Sequence, residues 1–333
     1  MTLDLKNGSI TLAEVANAAG VGESTVSRVL RNHGSFSEKT RASVMAAVEK
    51  LGYVPNRIAG ALASTGTSLV AIVVPSLSNI VFADVLRGAT QVLETGQRQA
   101  VFAVTEYDPV REEALVAAML AWRPAAVMVA GFEHTEGTRK MLQASGCRVV
   151  QLLDIDPDPL DLAVGFSNFA AGEMAAQHLL ACGYRKLGYV GHNIQADTRA
   201  GKRFAGFRAA LEKQGLALVG QEIGNSRSSV GVGHAGIAAL LERHPEIDAV
   251  YFSNDDMALG GYFHCLAHQI LVPQRVAIFG HNGLDIGRYT PQALTTIQTP
   301  RVEAGRVAAQ LVLDDAPPQT VDLGFQLITG ATA

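Results

Sequence analysis

The chain has 333 residues, of which 48% are hydrophobic and 17% charged, with a formal net charge of −4. That length predicts two or three domains, and that composition a globular bulk with ample apolar material for cores. No apolar run approaches the roughly 18 residues of a membrane span, and residues 1–6 open no apolar signal region. Cys147, Cys182 and Cys265 are odd in number and lack metal-ligand spacing, so reduced thiols in a bacterial cytoplasm are expected, with no metal site and no cofactor.

The first predicted element begins at Thr11, with Glu14 three residues on. This is a capping box, in which each side chain satisfies the other residue's free N–H. Gly20 supplies the tight bend within Ala19-Gly20-Val21-Gly22. A second helix follows through Ser24-Thr25-Val26-Ser27-Arg28-Val29-Leu30, with Val26, Val29 and Leu30 on one side and small polar groups on the other. Two short helices at a glycine bend make a helix-turn-helix, whose second helix can lie in the major groove of DNA. Residues 1–63 hold seven Lys/Arg against five Asp/Glu, a balance of +2, which leaves −6 for the remainder. So modest an excess means that phosphate contacts come from a few placed residues and from dimerisation.

A third helix runs from its cap, Ser37, through Thr40, Val44, Ala47, Val48 and Leu51 to Gly52. Residues 53–63 read as a further short helix with Pro55 at its start. Gly60 weakens it by up to ~1 kcal/mol relative to Ala. So short a helix does not hold alone in water and needs DNA or a partner chain to order it. Residues 64–68 are the linker.

From Leu69 the pattern changes to apolar runs at 69–74, 100–104, 126–130, 148–153, 187–190, 249–252 and 276–279, each separated by helical stretches. Alternating strands and helices predict parallel, doubly wound sheets. There are too many units for one small sheet, so two similar lobes with a cleft between them are expected. Ligands bind such sheets beyond the strand C-termini.

The head, the 53–62 segment and the α/β core, in that order, resemble the LacI/GalR transcription regulators across essentially the whole chain. The motif Asn254-Asp255-Asp256-Met257-Ala258-Leu259-Gly260 matches that family's second-lobe signature, and Pro291-Gln292-Ala293-Leu294-Thr295-Thr296-Ile297 its crossover signature. Residues 75–88, 160–169 and 280–287 are similar to the gluconate-operon repressor subgroup. The resemblance implies a helix-turn-helix domain over 1–52, a hinge helix and linker over 53–67, and a periplasmic-binding-protein-like core over 68–333. The chain would cross between lobes near 163–167 and 293–300. It further implies a regulator, not an enzyme: a homodimer on near-palindromic double-stranded operator DNA, associated with the nucleoid and controlled by a small sugar acid. Gluconate is the first candidate, with 2-ketogluconate, idonate or 6-phosphogluconate as alternatives. Repression, with release from the operator by the effector, is the first expectation; activation and a corepressor sign stay open.

Carried onto this chain, the residues that open the reading helix are Glu23 and Ser24. Glu23 can accept from cytosine N4, or simply offset the positive helix end. Arg28 is either a guanine reader or a phosphate clamp. Thr11, Thr25, Ser27, Arg31, Ser37, Thr40 and Asn56 would position the backbone, with Leu12, Tyr53 and Arg57 completing the DNA-facing set. Gly22 stands where many relatives carry a Ser or Thr cap. In the hinge, Ala59 and Leu62 match, and Leu62 would either wedge into a base step from the minor groove or pack on the partner's hinge.

In the cleft, Arg203 matches the sugar-binding arginine, and a guanidinium suits hydroxyls and a carboxylate. Arg227 falls where sugar-binding relatives place an aromatic residue, and Asn282 where many place an acid; both departures favour an anion. Phe82, Glu133, Asp154, Phe166, Asn254 and Asp256 complete the implied effector set, with His134 beside Glu133, and Asp255 is expected to cap the helix that follows it. Gly231-Val232-Gly233-His234-Ala235-Gly236 spells a dinucleotide fingerprint, but a polar serine run precedes it where a strand is required. A plain sugar-binding protein is opposed by the head and by the lack of a signal region.

Overall fold

The computed structural model describes residues 10–30, 34–54 and 67–333. The chain divides into two compact units, 1–67 and 68–333.

In the first unit, α1 (Leu12–Ala19), α2 (Glu23–Leu30) and α3 (Glu38–Leu51) form a three-helix head. The capping box is present: Glu14 N–H donates to Thr11 Oγ1 at 3.3 Å, and Thr11 N–H to Glu14 Oε2 at 2.7 Å. Gly20 and Gly52 end α1 and α3 with φ of 67° and 64°, in the left-handed region that glycine enters without a Cβ clash. Ser37 caps α3, accepting from Thr40 N–H at 3.1 Å. At α2 the Gly22 carbonyl accepts from the N–H groups of Thr25 and Val26, but glycine has no side chain to complete the cap. Val15, Val26 and Val44 are fully buried where the helices meet, with Ala16, Val29 and Ala47 around them.

The second unit holds two six-stranded sheets. The N-lobe sheet has the order β11-β5-β4-β3-β1-β2, all parallel, from β1 (Leu69–Val74), β2 (Gln99–Val104), β3 (Ala126–Ala130), β4 (Arg148–Leu152), β5 (Leu162–Gly165) and β11 (Gln319–Asp322). The C-lobe sheet has the order β12-β10-β9-β8-β6-β7, from β6 (Leu187–Gly191), β7 (Gly220–Ile223), β8 (Ala249–Phe252), β9 (Ala277–Asn282), β10 (Thr295–Gln298) and β12 (Gln326–Ile328). Its one antiparallel pairing joins β12 to β10. Strand alternation builds two cores per lobe. On β1, Val70, Ile72 and Val74 face α4 (Ile80–Thr95) and α11 (Arg301–Leu313). Ala71 and Val73 face α5 (Pro109–Leu120) and α6 (Glu136–Ala144). In the C-lobe, α7 (Asn168–Ala181) and α8 (Thr198–Lys213) cover one face, and α9 (Val230–Arg243) and α10 (Asp255–Ala267) the other.

The chain passes between lobes at 166–167, after β5, and at 299–300, after β10. A third passage at 323–325, between β11 and β12, has no counterpart in the sequence reading.

Three helix pairs, α4 with α11, α7 with α8 and α9 with α10, cross at reciprocal glycines. A Cβ on Gly88 would strike the Val302 carbonyl, and one on Gly305 the Val85 carbonyl. Gly172 and Gly206 do the same for α7 and α8, as do Gly233 and Gly260 for α9 and α10. This accounts for the apparent dinucleotide fingerprint. Gly231, Gly233 and Gly236 lie inside α9, which Ser229 caps, and Gly233 lets two helix backbones touch.

Candidate functional site

On the head, α2 turns Val26 and Val29 inward and leaves Glu23, Ser24 and Arg28 exposed, with Thr25 and Ser27 half-buried. Arg28 folds along its own helix, donating from Nε to the Ser24 carbonyl at 3.3 Å and from Nη2 to Thr25 Oγ1 at 3.5 Å. Both contacts are long, so the guanidinium is lightly held. Thr11 and Ser37 spend their hydroxyls on caps, and Thr40 pairs with Ser37 at 2.9 Å. Leu12 and Tyr53 pack half-buried on the head's core, so their first role is apolar support. Arg31, Asn56, Arg57, Ala59 and Leu62 lie outside the described residues.

In the second unit a cleft of about 290 Å³ opens between the lobes. Parallel strands supply its walls at their C-terminal ends, where backbone leaves the sheet and polar side chains converge. Ser76, Ser78 and Asn79 follow β1, and Glu106 and Tyr107 follow β2. From the C-lobe come His192, Asn193 and Asp197 after β6, residues 225–228 after β7, and Asp256 after β8.

A buried charge network backs the cleft. Asp197 Oδ2 lies 3.3 Å from His192 Nε2, and its Oδ1 lies 3.4 Å from Arg199 Nη2. His192 Nδ1 reaches Ser253 Oγ at 2.8 Å. Burial alone would raise the Asp197 pKa. The Arg199 charge, then His192 and Arg203, reverse that and hold it well below the usual carboxylate range. Arg199 also covers the Phe82 ring at 5.4 Å, and Phe82 meets Tyr107 edge-on at 6.4 Å. Burial, with the Asp197 charge, pushes the Tyr107 phenol up to about 12, so it stays a neutral donor.

Of the expected effector residues, Arg227 and Asp256 line this free space. Phe82 lies behind it, buttressing Tyr107. Arg203 is buried outside the lining: Nη1 donates to Asn168 Oδ1 at 2.9 Å, Nη2 to the Ser253 carbonyl at 3.2 Å, and Nε has no partner. Asp154 is fully buried on Lys202, and Glu133 meets the same Lys202 at 2.7 Å and Thr198 Oγ1 at 2.8 Å. Both acids belong to the N-lobe and both C-lobe partners to α8, so this cluster joins the lobes. His134 lies away from the free space, its Nδ1 on Glu112 at 2.7 Å. Phe166 sits in the first passage between lobes, against Phe325 of the third at 6.1 Å and His281 at 6.4 Å. Asn282 ends β9 with φ 113°, and its carbonyl accepts from Arg301.

The cap assignment is corrected. Asn254, not Asp255, caps α10, its Oδ1 accepting from Met257 N–H at 3.1 Å. Asp255 points into the C-lobe instead, accepting from Leu284 N–H and Thr296 Oγ1–H, each at 2.6 Å. Glu106, Tyr107, His192, Asp197 and Arg199 were not singled out from the sequence. All but Arg199 fall within six residues of a strand's C-terminal end, the one signal that could have found them.

Residues 11–56 match the family model described as bacterial regulatory proteins, lacI family, and residues 176–333 match that of a periplasmic binding protein-like domain. The HTH-type transcriptional regulator GntR of Pseudomonas aeruginosa is 39% identical over 327 residues, spanning 96% of this chain and 95% of the relative. The GntR regulator of Escherichia coli K12 is 34% identical over 98% of this chain and 100% of its own.

The chain belongs to the LacI family.

As a LacI-family member it is a DNA-binding transcriptional regulator and not an enzyme. A crystal structure of a LacI-family transcriptional regulator from Silicibacter pomeroyi superposes with a TM-score of 0.93 at 43% identity, covering 97% of this chain and 99% of that one. The two-lobed fold is thus that of the family. No helix among the described residues is long and apolar enough to cross a membrane, and no group of metal-ligating side chains among them could hold an ion.

Proposed function

We propose that this regulator is a repressor that binds a near-palindromic operator as a homodimer and is released by a sugar acid, gluconate being the first candidate. The observation that carries the effector class is the character of the cleft. Its walls carry hydroxyls and amides from Ser76, Ser78, Asn79, Asn193, Asn225, Ser226 and Ser228, the carboxylates of Glu106, Asp197 and Asp256, and Arg227 as the one arginine or lysine lining it among the described residues. Among the described residues Tyr107 and His192 are the only rings there, so a flat apolar face finds little to stack on, whereas an acyclic chain of hydroxyls with one carboxylate finds donors along its length. The volume lies at the small end of small-molecule sites, roughly 300–1,000 Å³. The GntR name of both curated relatives accords with the similarity to gluconate-operon repressors.

On DNA, α2 of each head would enter a major groove, with Ser24 and Arg28 on its exposed face and Glu23 at its start. A single head spans only a few base pairs, so a two-fold dimer on two half-sites supplies the specificity. The proposed wedge Leu62 would bend the duplex between them. The effector acts by population shift. Contacts to both lobes favour the closed arrangement, and DNA affinity changes only as far as the two arrangements bind the effector differently. Operator titrations by gel shift, with and without gluconate, 2-ketogluconate, idonate and 6-phosphogluconate, test the reading. One of these acids should weaken operator binding and leave random-sequence binding unchanged. Tighter operator binding would make the acid a corepressor, and no response to any of the four would refute the effector class.

A further inference from the structure

Glu106 stands apart from the rest of the cleft wall. It belongs to the N-lobe, yet its carboxylate is paired with Arg227, which projects from the C-lobe loop between β7 and α9. Its buried Oε2 is the atom that meets Arg227 Nη2. The backbone holds it there at a cost: Glu106 and Tyr107 are consecutive non-glycine residues with φ of 60° and 62°. Such strain persists only where the surroundings enforce it, and it gathers at ligand clamps. Here Thr105 N–H donates to the Val74 carbonyl, and Asp108 N–H to the Thr105 carbonyl, pinning the turn at both ends.

The charges around the free space sharpen the point. Asp197 is already matched by Arg199 and His192. Asp256 and Glu106 are the other two acids, and Arg227 the one arginine facing them. That one arginine is neutralised from across the cleft by the protein itself.

Resting on the sugar-acid reading, we infer that Glu106 is an internal competitor for Arg227: its carboxylate occupies the position that the effector's carboxylate takes, and must yield when the effector binds. A neutral polyol gains no charged pair in return for breaking this one, whereas a sugar acid exchanges one charge-assisted pair for another. The same exchange couples binding to the lobes, because it replaces a direct bond between them with one that runs through the ligand.

The test is calorimetric titration of the full-length protein with gluconate, its three related acids and the neutral polyol sorbitol. The variants are Glu106→Gln, Glu106→Ala, Arg227→Gln and Glu106→Gln with Arg227→Gln, each checked for near-wild-type thermal unfolding. Either Glu106 variant should bind the sugar acid about fivefold tighter or more, within the range of couplings between neighbouring groups. Arg227→Gln should bind about tenfold weaker, having lost a charge-assisted bond. In the Arg227→Gln background the Glu106→Gln gain should vanish. A gain that survives there, a gain that extends equally to sorbitol, or no gain in either Glu106 variant overturns the role of Glu106 and leaves the sugar-acid reading standing. If neither wild type nor the Glu106 variants bind any of the four acids, the sugar-acid reading itself falls, and this inference with it.

Discussion

Two aspartates of the C-lobe titrate in opposite senses, and each sense follows from what the side chain touches. Asp197 has cations around it and is held in its charged form. Asp255 is fully buried. Burial raises its pKa to about 6, only partly opposed by the hydrogen bonds from Thr296 and Leu284. Because the folded value lies above the unfolded one, the stability that Asp255 contributes is complete below about pH 4. It is lost as pH rises through the folded value of about 6. Asp197 is the reverse: its contribution is present above the unfolded value and is lost only in strong acid. Over two pKa units the Asp255 cost is about 3 kcal/mol. In denaturant unfolding followed from pH 4 to 7, wild type should therefore lose stability relative to Asp255→Asn as pH rises. A stability difference that does not change with pH would show that Asp255 keeps the same charge throughout.

At the level of elements, the second unit rests on three helix pairs that touch backbone to backbone. Gly260 on α10 faces the Val230 carbonyl of α9, and Gly233 faces Met257 in return. A helix-interior glycine normally costs stability relative to alanine, so Gly→Ala on an exposed helix is stabilising. Here the sign inverts, because the added methyl meets a carbonyl that belongs to a packed helix and cannot swing away. Gly260→Ala should destabilise by about 1–3 kcal/mol, the usual range for overpacking. Thermal unfolding of that variant beside an alanine at Gly231, whose nearest neighbour is a movable serine hydroxyl, gives the comparison. Equal behaviour of the two would mean that α9 and α10 can part freely.

At the level of the whole second unit, Lys202 is a second fastener between the lobes, in addition to the Glu106–Arg227 pair. It bridges Glu133 and the fully buried Asp154 from the opposite lobe. Burial would lower the Lys202 pKa, but the two carboxylates reverse that and raise it. Lys202→Met would strand the Asp154 carboxylate without a counter-charge, a loss in the range of about 3–5 kcal/mol for broken buried pairs. Adding Asp154→Asn should restore much of it, since the stranded charge is then gone. Denaturant unfolding of the single and double variants reads this directly. A double variant no more stable than the single one would show that Lys202 acts by packing its chain and not by its charge.

What the sequence alone determined was local. Thr11, Ser37, Gly20 and Gly52 announced helix ends because a cap is made by residues three or four apart. The run Leu69–Val74 announced a strand because a parallel strand covered on both faces is apolar throughout. The alternation of Val26 and Val29 with Ser24 and Arg28 already divided α2 into a core side and a free side. Short edge elements left no such mark: β11, Gln319–Asp322, is polar and mostly exposed, and its place beside β5 comes from pairing with a strand more than 150 residues away. The cleft was legible only in part for the same reason. Arg227 and Asp256 could be placed by motif, but Glu106, Tyr107, His192 and Asp197 become neighbours only when the ends of separate strands, in two lobes, are brought together. Tertiary structure also decided between adjacent residues of identical promise. Asn254 took the cap and Asp255 the interior, because only one side chain at the start of α10 can turn back onto the helix, and the other then faces Leu284 and Thr296.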